Sequence, residues 1–389
     1  MDVAIMGHYR ADRLVTALRR HDAERIWLCG PVDVRAGLGP GVRYRYLAAD
    51  AGVDDVLALW AHVGAQVVVP SLYPLQQEQL LHTLATAAQL VAAGGRRVHV
   101  HPPAFAEAVS DKVLFHRLAL DRGWPVPEGI VCEDRTELAA ALRQLGPPVM
   151  VKTGRSVPWE GRWYLDGPDD LGTADGMVFP VVAQRVCRGE EFGVELLTDR
   201  GSTLRWPIAS FGPLDARCMP GWRTRLMPAA LPTTVRHDLD AFVTDVTDLL
   251  APCGAWQIDM AVEAGELRVL EVNGRFGGMA HLSRAVTGID PYQALATAAL
   301  GGRPPTPTAV RVAAELPLSL GAHLPADDAV RVEVERPSPT EPCLPSHFHR
   351  TLVVADDPAA LADWIGGLPA GAWADHVPPA ADGRSTPPR

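Results

Sequence analysis

Four polar residues near the end of a predicted β-hairpin have the types and spacing needed for metal and phosphate chemistry: Asp259, Glu271, Asn273 and Arg275. Apolar runs on both sides of residues 264–266 predict the two strands of this hairpin. Side chains alternate between the faces of a strand, so Glu271 and Asn273 project to one face, and a three-residue loop at 264–266 would place Asp259 opposite Glu271. Oxygen ligands of this kind suit Mg²⁺, with Mn²⁺ as an alternative, and Arg275 is placed to hold a phosphate. A solvated polar strand face would show a similar pattern.

The segment Glu271-Val272-Asn273-Gly274-Arg275, preceded by Gln257-Ile258-Asp259, resembles the metal-binding end of the ATP-grasp superfamily. That superfamily includes carbamoyl-phosphate synthetase, biotin carboxylase, D-alanine–D-alanine ligase and many carboxylate–amine ligases. The resemblance implies that ATP and Mg²⁺ are the cofactors. It also implies that the metal ligands are Asp259, Glu271 and Asn273, and that Arg275 and Lys152 are the catalytic residues that contact the phosphates.

Two lysines resemble the ATP-binding lysines of the same superfamily. Ser110-Asp111-Lys112 opens a helix that we expect to run to about Arg122, with Ser110 as its N-cap. Lys112 would reach the ATP phosphates, and Lys152, which closes the apolar strand from Val149, would contact a phosphate and the adenine edge. The loop 153–162 departs from the family pattern because it has only two glycines, so Arg155 or Arg162 would replace part of the backbone contact to phosphate.

The stretch from Val178 to Leu197 resembles the hinge between the two lobes of the superfamily. The resemblance implies that the backbone of Gln184, Arg185 and Val186 binds adenine. Glu191 would hold the ribose hydroxyls, because a carboxylate accepts hydrogen bonds from both. A solvated turn is the alternative for Glu191.

Residues 205 to 231 are rich in arginine and proline and are predicted to be irregular. Related ligases use arginines in this region to clamp a substrate carboxylate or acyl phosphate, which makes Arg217, Arg223 and Arg225 candidate substrate residues. A solvated charged loop would look the same. His281 is a further candidate for substrate contact, with a packed or capping histidine as the alternative.

The order of the predicted strands and helices that position the candidate site residues indicates a protein with α/β and α+β parts. Apolar strands near residues 3–7, 25–30, 66–70 and 97–100 alternate with helices near 13–20, 53–60 and 76–93, which predicts a parallel, doubly wound sheet. The first turn has no G-x-G-x-x-G motif, and candidate contacts at the carboxyl ends of the strands lie near His8 and Ser71. With the resemblance, the chain divides into an N-terminal Rossmann-like pre-ATP-grasp domain (1–108), an ATP-grasp domain with two lobes (109–186 and 187–303), a small α+β C-terminal domain (304–376) and a disordered tail (377–389).

Composition narrows the class of protein. The 389 residues are 47% hydrophobic and 21% charged, with a formal net charge of −10, which indicates a globular protein whose main partner is not nucleic acid. No apolar run is long enough to span a membrane, and the N-terminus lacks a basic leader, so we expect a cytoplasmic location. The six cysteines lack paired metal spacing and are expected to be reduced thiols, and His347 with His349 has no further ligand nearby for a metal.

The chemistry implied by the resemblance is activation of a carboxylate as an acyl phosphate, followed by attack of an amine. We expect the carboxylate to be an amino acid or small peptide and the products to include ADP and phosphate. One alternative is carboxyphosphate or formyl-phosphate chemistry on a nucleotide precursor, and another is a nucleotide-binding regulator without turnover. The expected partners are the two small-molecule substrates and a second copy of the chain in a homodimer.

Overall fold

A computed structural model describes most of the chain, with gaps. The described residues are 1–21, 23–72, 74–91, 97–155, 161–173, 176–214, 223–319, 322–335, 348–369 and 372–373. Arg217, His347 and the predicted disordered tail lie outside these ranges. No described helix is long and apolar enough to cross a membrane.

A five-stranded parallel sheet with helices between its strands forms the N-terminal part, as predicted. Its strands are β1 (Asp2–Met6), β2 (Arg25–Gly30), β3 (Val42–Tyr46), β4 (Val67–Pro70) and β5 (Arg97–Val98), and its helices are α1 (Ala11–Arg20), α2 (Val53–Val63) and α3 (Pro74–Val91). The order β3-β2-β1-β4-β5 reverses between β1 and β4, which makes the loops after these two strands the topological switch point. Strand β3 was not predicted because its alternating arginines and tyrosines at a sheet edge do not form an apolar run.

The next unit is a four-stranded sheet with helices packed on it, in the order β6-β9-β7-β8. Its elements are α4 (Pro103–Ser110), α5 (Lys112–Arg122), β6 (Gly129–Cys132), α6 (Arg135–Leu145), β7 (Val149–Thr153), β8 (Arg162–Leu165) and β9 (Val181–Arg185). The prediction that Ser110 caps the Lys112 helix is wrong, because Ser110 is the last residue of α4. Asp111 is the cap instead, and its carboxylate accepts hydrogen bonds from the backbone N–H groups of Val113 and Leu114.

A nine-stranded, largely antiparallel sheet carries the predicted hairpin. Its first members are β10 (Glu190–Asp199), β11 (Ser202–Arg205), β12 (Ala209–Pro213), β13 (Arg225–Met227), β14 (Gly254–Glu263) and β15 (Glu266–Asn273), with helix α7 (Thr233–Leu250). The apolar stripe of α7 packs on the sheet face opposite the polar residues of the hairpin. The prediction of irregular structure over 205–231 is wrong for β12 and β13, which are short strands that their neighbours in the sheet stabilise.

The C-terminal strands continue this same sheet. After α8 (Ala280–Thr287) and α9 (Pro291–Ala299) come β16 (Val312–Ser319), β17 (Val330–Glu335), β18 (Phe348–Ala355) and α10 (Pro358–Gly366). Strand β16 pairs with β13, so that Arg225 lies opposite Glu315. The α+β composition of this part is confirmed, and the domain limits drawn from the sequence stay a prediction.

Candidate functional site

The hairpin of β14 and β15 places Asp259 directly opposite Glu271, by a route that differs from the predicted one. The turn has two residues, Ala264 and Gly265, with φ of 53° and 82°, so the predicted three-residue loop is wrong. The ladder then shifts register between Asp259 and Met260, where Leu270 is the extra residue of a β-bulge. The bulge restores the predicted pairing.

Asp259 is the centre of a hydrogen-bonded group on one sheet face. Gln257 donates to one of its carboxylate oxygens, and Asn273 Nδ2 donates to the other at 3.2 Å. Arg275 Nη2 in turn donates to Asn273 Oδ1 at 3.4 Å. Burial, together with the charges of the neighbouring carboxylates of Glu191 and Glu271, raises the pKa of Asp259 to about 7.

Three cations from the four-stranded unit converge on Glu271. Arg162 Nη2 donates to Glu271 Oε2 at 2.8 Å, and Lys112 Nζ lies 3.7 Å from Oε1. Lys152 Nζ donates at 3.3 Å to the backbone carbonyl of Leu270, the bulged residue. Burial alone would raise the pKa of Glu271, but Arg162 and the two lysines outweigh it and hold that pKa at about 2.

Lysine usage is a signal in the sequence that motif reasoning did not use. Of the 36 lysines and arginines in the chain, Lys112 and Lys152 are the only lysines. Both have their ammonium groups at Glu271 and the bulge beside it. An ammonium is a compact charge on a flexible stem, whereas a guanidinium is a broad planar fork. Both lysines of this arginine-rich chain therefore lie at the candidate site around Glu271.

The oxygen atoms of this site fit a hard divalent cation. Among the described residues, no group of three or more His, Cys, Asp or Glu side chains could hold a metal ion. The predicted ligand set is different, because it consists of two carboxylates, Asp259 and Glu271, and the amide oxygen of Asn273. Burial, and then the charges of Glu191 and Glu271, raise the pKa of Asp259, and a bound Mg²⁺ would offset these effects and favour the ionised carboxylate. The metal assignment stays a prediction.

A cleft of about 330 Å³, part of it open to solvent, lies between the two sheets next to Glu271, and both lysines and Gln184 line it. The predicted adenine-binding backbone lies at its edge. There the N–H of Arg185 donates to Glu128 O at 2.9 Å, and the N–H of Val186 donates to Pro148 O at 3.2 Å. These two amide donors are therefore already used, and the Gln184 side chain lies 3.2 Å from His116 Nδ1.

The candidate ribose residue Glu191 and the candidate substrate residues Arg223 and Arg225 are held by contacts within the protein. Arg223 donates to Glu191, and both side chains are 10% exposed. Arg225 Nη1 donates to Gly278 O at 2.9 Å and lies 3.5 Å from Glu315. Glu191, Arg223 and Arg225 each already have a partner within the protein. Ribose binding by Glu191 and substrate binding by the two arginines therefore stay predictions.

His281 lies among arginines that come from distant parts of the chain. Arg13 of α1 donates to its Nδ1. Burial, and then the charges of Arg10, Arg13, Arg284 and Arg350, hold the pKa of His281 well below its ordinary value. The neutral ring therefore joins α8 to α1 within a cluster of arginines, three of which also pair with carboxylates: Arg13 with Asp290, Arg284 with Glu333 and Arg350 with Glu315. Sequence reasoning missed the contributions of Arg10, Arg13 and Arg350, since no local motif links them to His281.

No protein-family model and no curated protein matches this chain. Solved structures do match it along most of its length. A carboxyaminoimidazole ribonucleotide synthase from Aspergillus clavatus, solved with ATP, has 15% identity and a TM-score of 0.74, covering 94% of this chain and 96% of its own. An L-amino acid ligase from Bacillus licheniformis has 18% identity and a TM-score of 0.67, covering 93% and 95%.

A third solved structure is the biotin carboxylase domain dimer of a 2-oxoglutarate carboxylase from Hydrogenobacter thermophilus, in complex with MgADP, ADP and bicarbonate. It has 13% identity and a TM-score of 0.68, covering 94% of this chain and 90% of its own. All three are ATP-grasp enzymes. This chain therefore has the ATP-grasp fold.

Proposed function

We propose that this chain is an ATP-dependent ligase that activates a carboxylate as an acyl phosphate and joins it to an amine, releasing ADP and phosphate. The observation that carries the proposal is the convergence of Lys112, Lys152 and Arg162 on Glu271, directly opposite Asp259. A nucleoside triphosphate requires cations to bind its phosphates and carboxylates to bind its metal ion, and this site has both within a short distance. The amino acid or small peptide expected from the sequence is the proposed carboxylate.

The nucleotide would bind in the cleft between the two sheets. Lys112 and Lys152 hold its phosphates, and Arg275 holds the transferred phosphoryl group. Since the amides of Arg185 and Val186 are used within the protein, the next amide, that of Cys187, is the proposed donor to adenine. Ribose binding by Glu191 requires Arg223 to yield part of its contact, because the two side chains are paired.

Asp259, Glu271 and Asn273 would hold Mg²⁺, which neutralises phosphate charge when it is bound. The protein's own part is electrostatic. Lys112, Lys152 and Arg275 reduce the repulsion between an anionic carboxylate and the γ-phosphoryl group, so that the carboxylate oxygen can attack. Positioning of the amine beside the acyl phosphate then makes amide formation an oriented step.

The decisive test uses a carboxylate substrate labelled with heavy oxygen. A screen of amino acids and dipeptides for ADP release first identifies this substrate. If an acyl phosphate forms, one labelled oxygen must appear in the released phosphate when the amide forms. Unlabelled phosphate, or AMP among the products, contradicts the mechanism even though the fold is shown.

The arginine cluster around His281 favours one alternative, chemistry on a phosphorylated nucleotide precursor. Arg10, Arg13, Arg284 and Arg350 lie close enough to act on the His281 ring, and a phosphate could compete for these guanidinium groups with their carboxylate partners. ADP release that depends on bicarbonate or formate, and on no amino acid, would favour this reading. Absence of turnover with every acceptor would favour a nucleotide-binding regulator.

We also propose a homodimer, which light scattering after gel filtration would test.

A further inference from the structure

A second cavity lies between the N-terminal sheet and the near end of the hairpin. Its volume is about 390 Å³, part of it open to solvent. Tyr9, Ser71 and His99 line it, and each follows a strand of the parallel sheet at its carboxyl end. Tyr9 and Ser71 stand at the topological switch point, where sheets of this type bind ligands. On the hairpin side Arg275 lines the same cavity, so it adjoins the proposed phosphoryl site.

Two histidines line this cavity, and their surroundings differ. His101 is held at both ring nitrogens, because Cys253 N–H donates to Nδ1 at 3.1 Å and Nε2 lies 2.8 Å from Ala255 O. His99 is 6% exposed, and its Nε2 has no hydrogen-bond partner among the described residues. The Cδ2 edge beside that nitrogen faces Gly254, a lining residue with φ of 111°. An orphaned ring nitrogen of a buried residue that lines a cavity points to a ligand.

Asp199 and Cys253 lie beside one ring nitrogen of His99. The Asp199 carboxylate lies 3.9 Å from Nδ1, too far for a hydrogen bond, and the Cys253 sulfur lies 3.9 Å from the same nitrogen. The nearby negative charge favours the tautomer that has its proton on Nδ1 and the lone pair on Nε2. Burial lowers the pKa of His99, Asp199 raises it and Arg200 lowers it, so the ring is neutral at neutral pH. Among the residues that the structure describes, the titratable and charged groups facing this ring are Asp199, Arg200, Cys253 and His101.

No carboxylate is among the described residues that line the cavity, and Arg275 is. An ammonium ion would lack a counter-charge there and would lie near a guanidinium, so the cavity favours a neutral amine. We propose that this cavity binds the nitrogen nucleophile of the ligation and that His99, oriented by Asp199, is the general base that accepts its proton. The inference rests on the proposed ligase function. In the step, the nitrogen lone pair forms the C–N bond, the C–O bond to phosphate breaks with its electrons on phosphate, and one N–H proton passes to His99 Nε2.

Hydroxylamine is the probe nucleophile, since it traps acyl phosphates as hydroxamates. His99→Gln removes the base, Asp199→Asn removes the group that orients it, and His62→Gln, an exposed residue of α2, is the control. We expect hydroxamate formation by His99→Gln to fall by about 10²-fold or more, with a smaller fall for Asp199→Asn. Carboxylate-dependent ADP release without a nucleophile should be unchanged in both. In His99→Gln the acidic limb of the pH profile should be set by protonation of hydroxylamine alone, and a limb unchanged from wild type would indicate a packing residue instead of a base. Melting temperatures check folding.

Hydroxamate formation by His99→Gln equal to that of His62→Gln would overturn the inference and leave the ligase function standing. If the wild-type chain releases no ADP with any carboxylate, the proposed function fails instead. The site then still has an independent test in nitrogen NMR of ¹⁵N-histidine-labelled protein. A His99 signal, identified by its loss in His99→Gln, should show an unprotonated Nε2 that shifts when hydroxylamine is added. A protonated Nε2, or no response to hydroxylamine, overturns the assignment.

Discussion

Asp259 and Glu271 face each other across a hairpin whose two-residue turn is one residue too short for that pairing, because Leu270 bulges out of the ladder. The bulge does two things at once. It brings the two carboxylates into one row, and it frees a backbone carbonyl that accepts the hydrogen bond from Lys152.

Loss of the Glu271 charge should abolish ATP turnover and leave the fold intact. In Glu271→Gln the cations Lys112 and Arg162 lose their anionic partner, and the metal loses a ligand. We expect turnover at saturating Mg²⁺ to fall by at least about 10²-fold, with a similar loss in Asn273→Ala. Glu266→Gln, at the exposed start of the same strand, is the matched control. If either site variant turns over ATP as fast as wild type, the assignment of Glu271 and Asn273 as metal ligands is wrong.

Lys152→Ala should weaken nucleotide binding. A charge-assisted contact to phosphate that is shielded from water is worth roughly 2–5 kcal/mol when one partner is truncated. Calorimetric titration with a non-hydrolysable ATP analogue measures the change. Arg143→Ala, an exposed residue of α6 in the same unit, controls for the loss of one positive charge. If the two variants bind the ATP analogue with equal dissociation constants, Lys152 does not bind the nucleotide and its role is structural.

The hairpin and the four apolar strands of the parallel sheet were predicted correctly, because the spacing of apolar residues distinguishes strands from helices. The bulge at Leu270 was not, because a three-residue loop and a two-residue turn with a bulge give the same Asp259–Glu271 pairing. Alternation alone cannot separate the two. The carbonyl that anchors Lys152 was therefore invisible in the sequence.

Contacts between residues far apart in sequence mark the other limit of prediction from the sequence. Arg223 with Glu191 and Arg13 with His281 join residues whose separations in sequence are 32 and 268. The packing of distant strands and helices decides which arginine contacts which carboxylate or imidazole. No local sequence pattern encodes these contacts. Strand β13 is a similar case, since it becomes a strand by pairing with β16, far along the chain.

Amine-selective modification offers a direct map of the nucleotide site, because the chain has only two lysines. Burial, and then the charge of Arg162, lower the pKa of Lys152 to about 8 against the raising effect of Glu271. A lowered pKa means that a larger fraction of Lys152 is the reactive free amine as pH rises toward 8. We expect cyanate near that pH to modify Lys152 faster than Lys112, and Mg-ATP to slow both reactions. Peptide mass mapping reads this out, and modification unaffected by Mg-ATP would count against the nucleotide site.

Glu195 should make the chain less stable as pH rises through the neutral range. Its side chain is fully buried and accepts a hydrogen bond from Ser283 Oγ at 2.8 Å. Burial raises its pKa from 4.5 to about 8, against the lowering effects of Ser283, Arg10 and Arg13. Between these two values the folded chain binds a proton that the unfolded chain releases. The stability this proton contributes is present at low pH and is lost as pH rises through about 8.

Glu195→Gln keeps an acceptor for Ser283 and removes the titration, so the variant should gain stability relative to wild type as pH rises. Melting temperatures of both proteins between about pH 5 and about pH 9 measure this, and the difference should widen toward the alkaline end. Glu107→Gln, an exposed residue of α4, is the matched control and should follow the wild type throughout. A constant difference between Glu195→Gln and wild type over this range would mean that Glu195 is already ionised in the folded chain. In that case Arg10 or Arg13 must compensate its charge more strongly than burial opposes it.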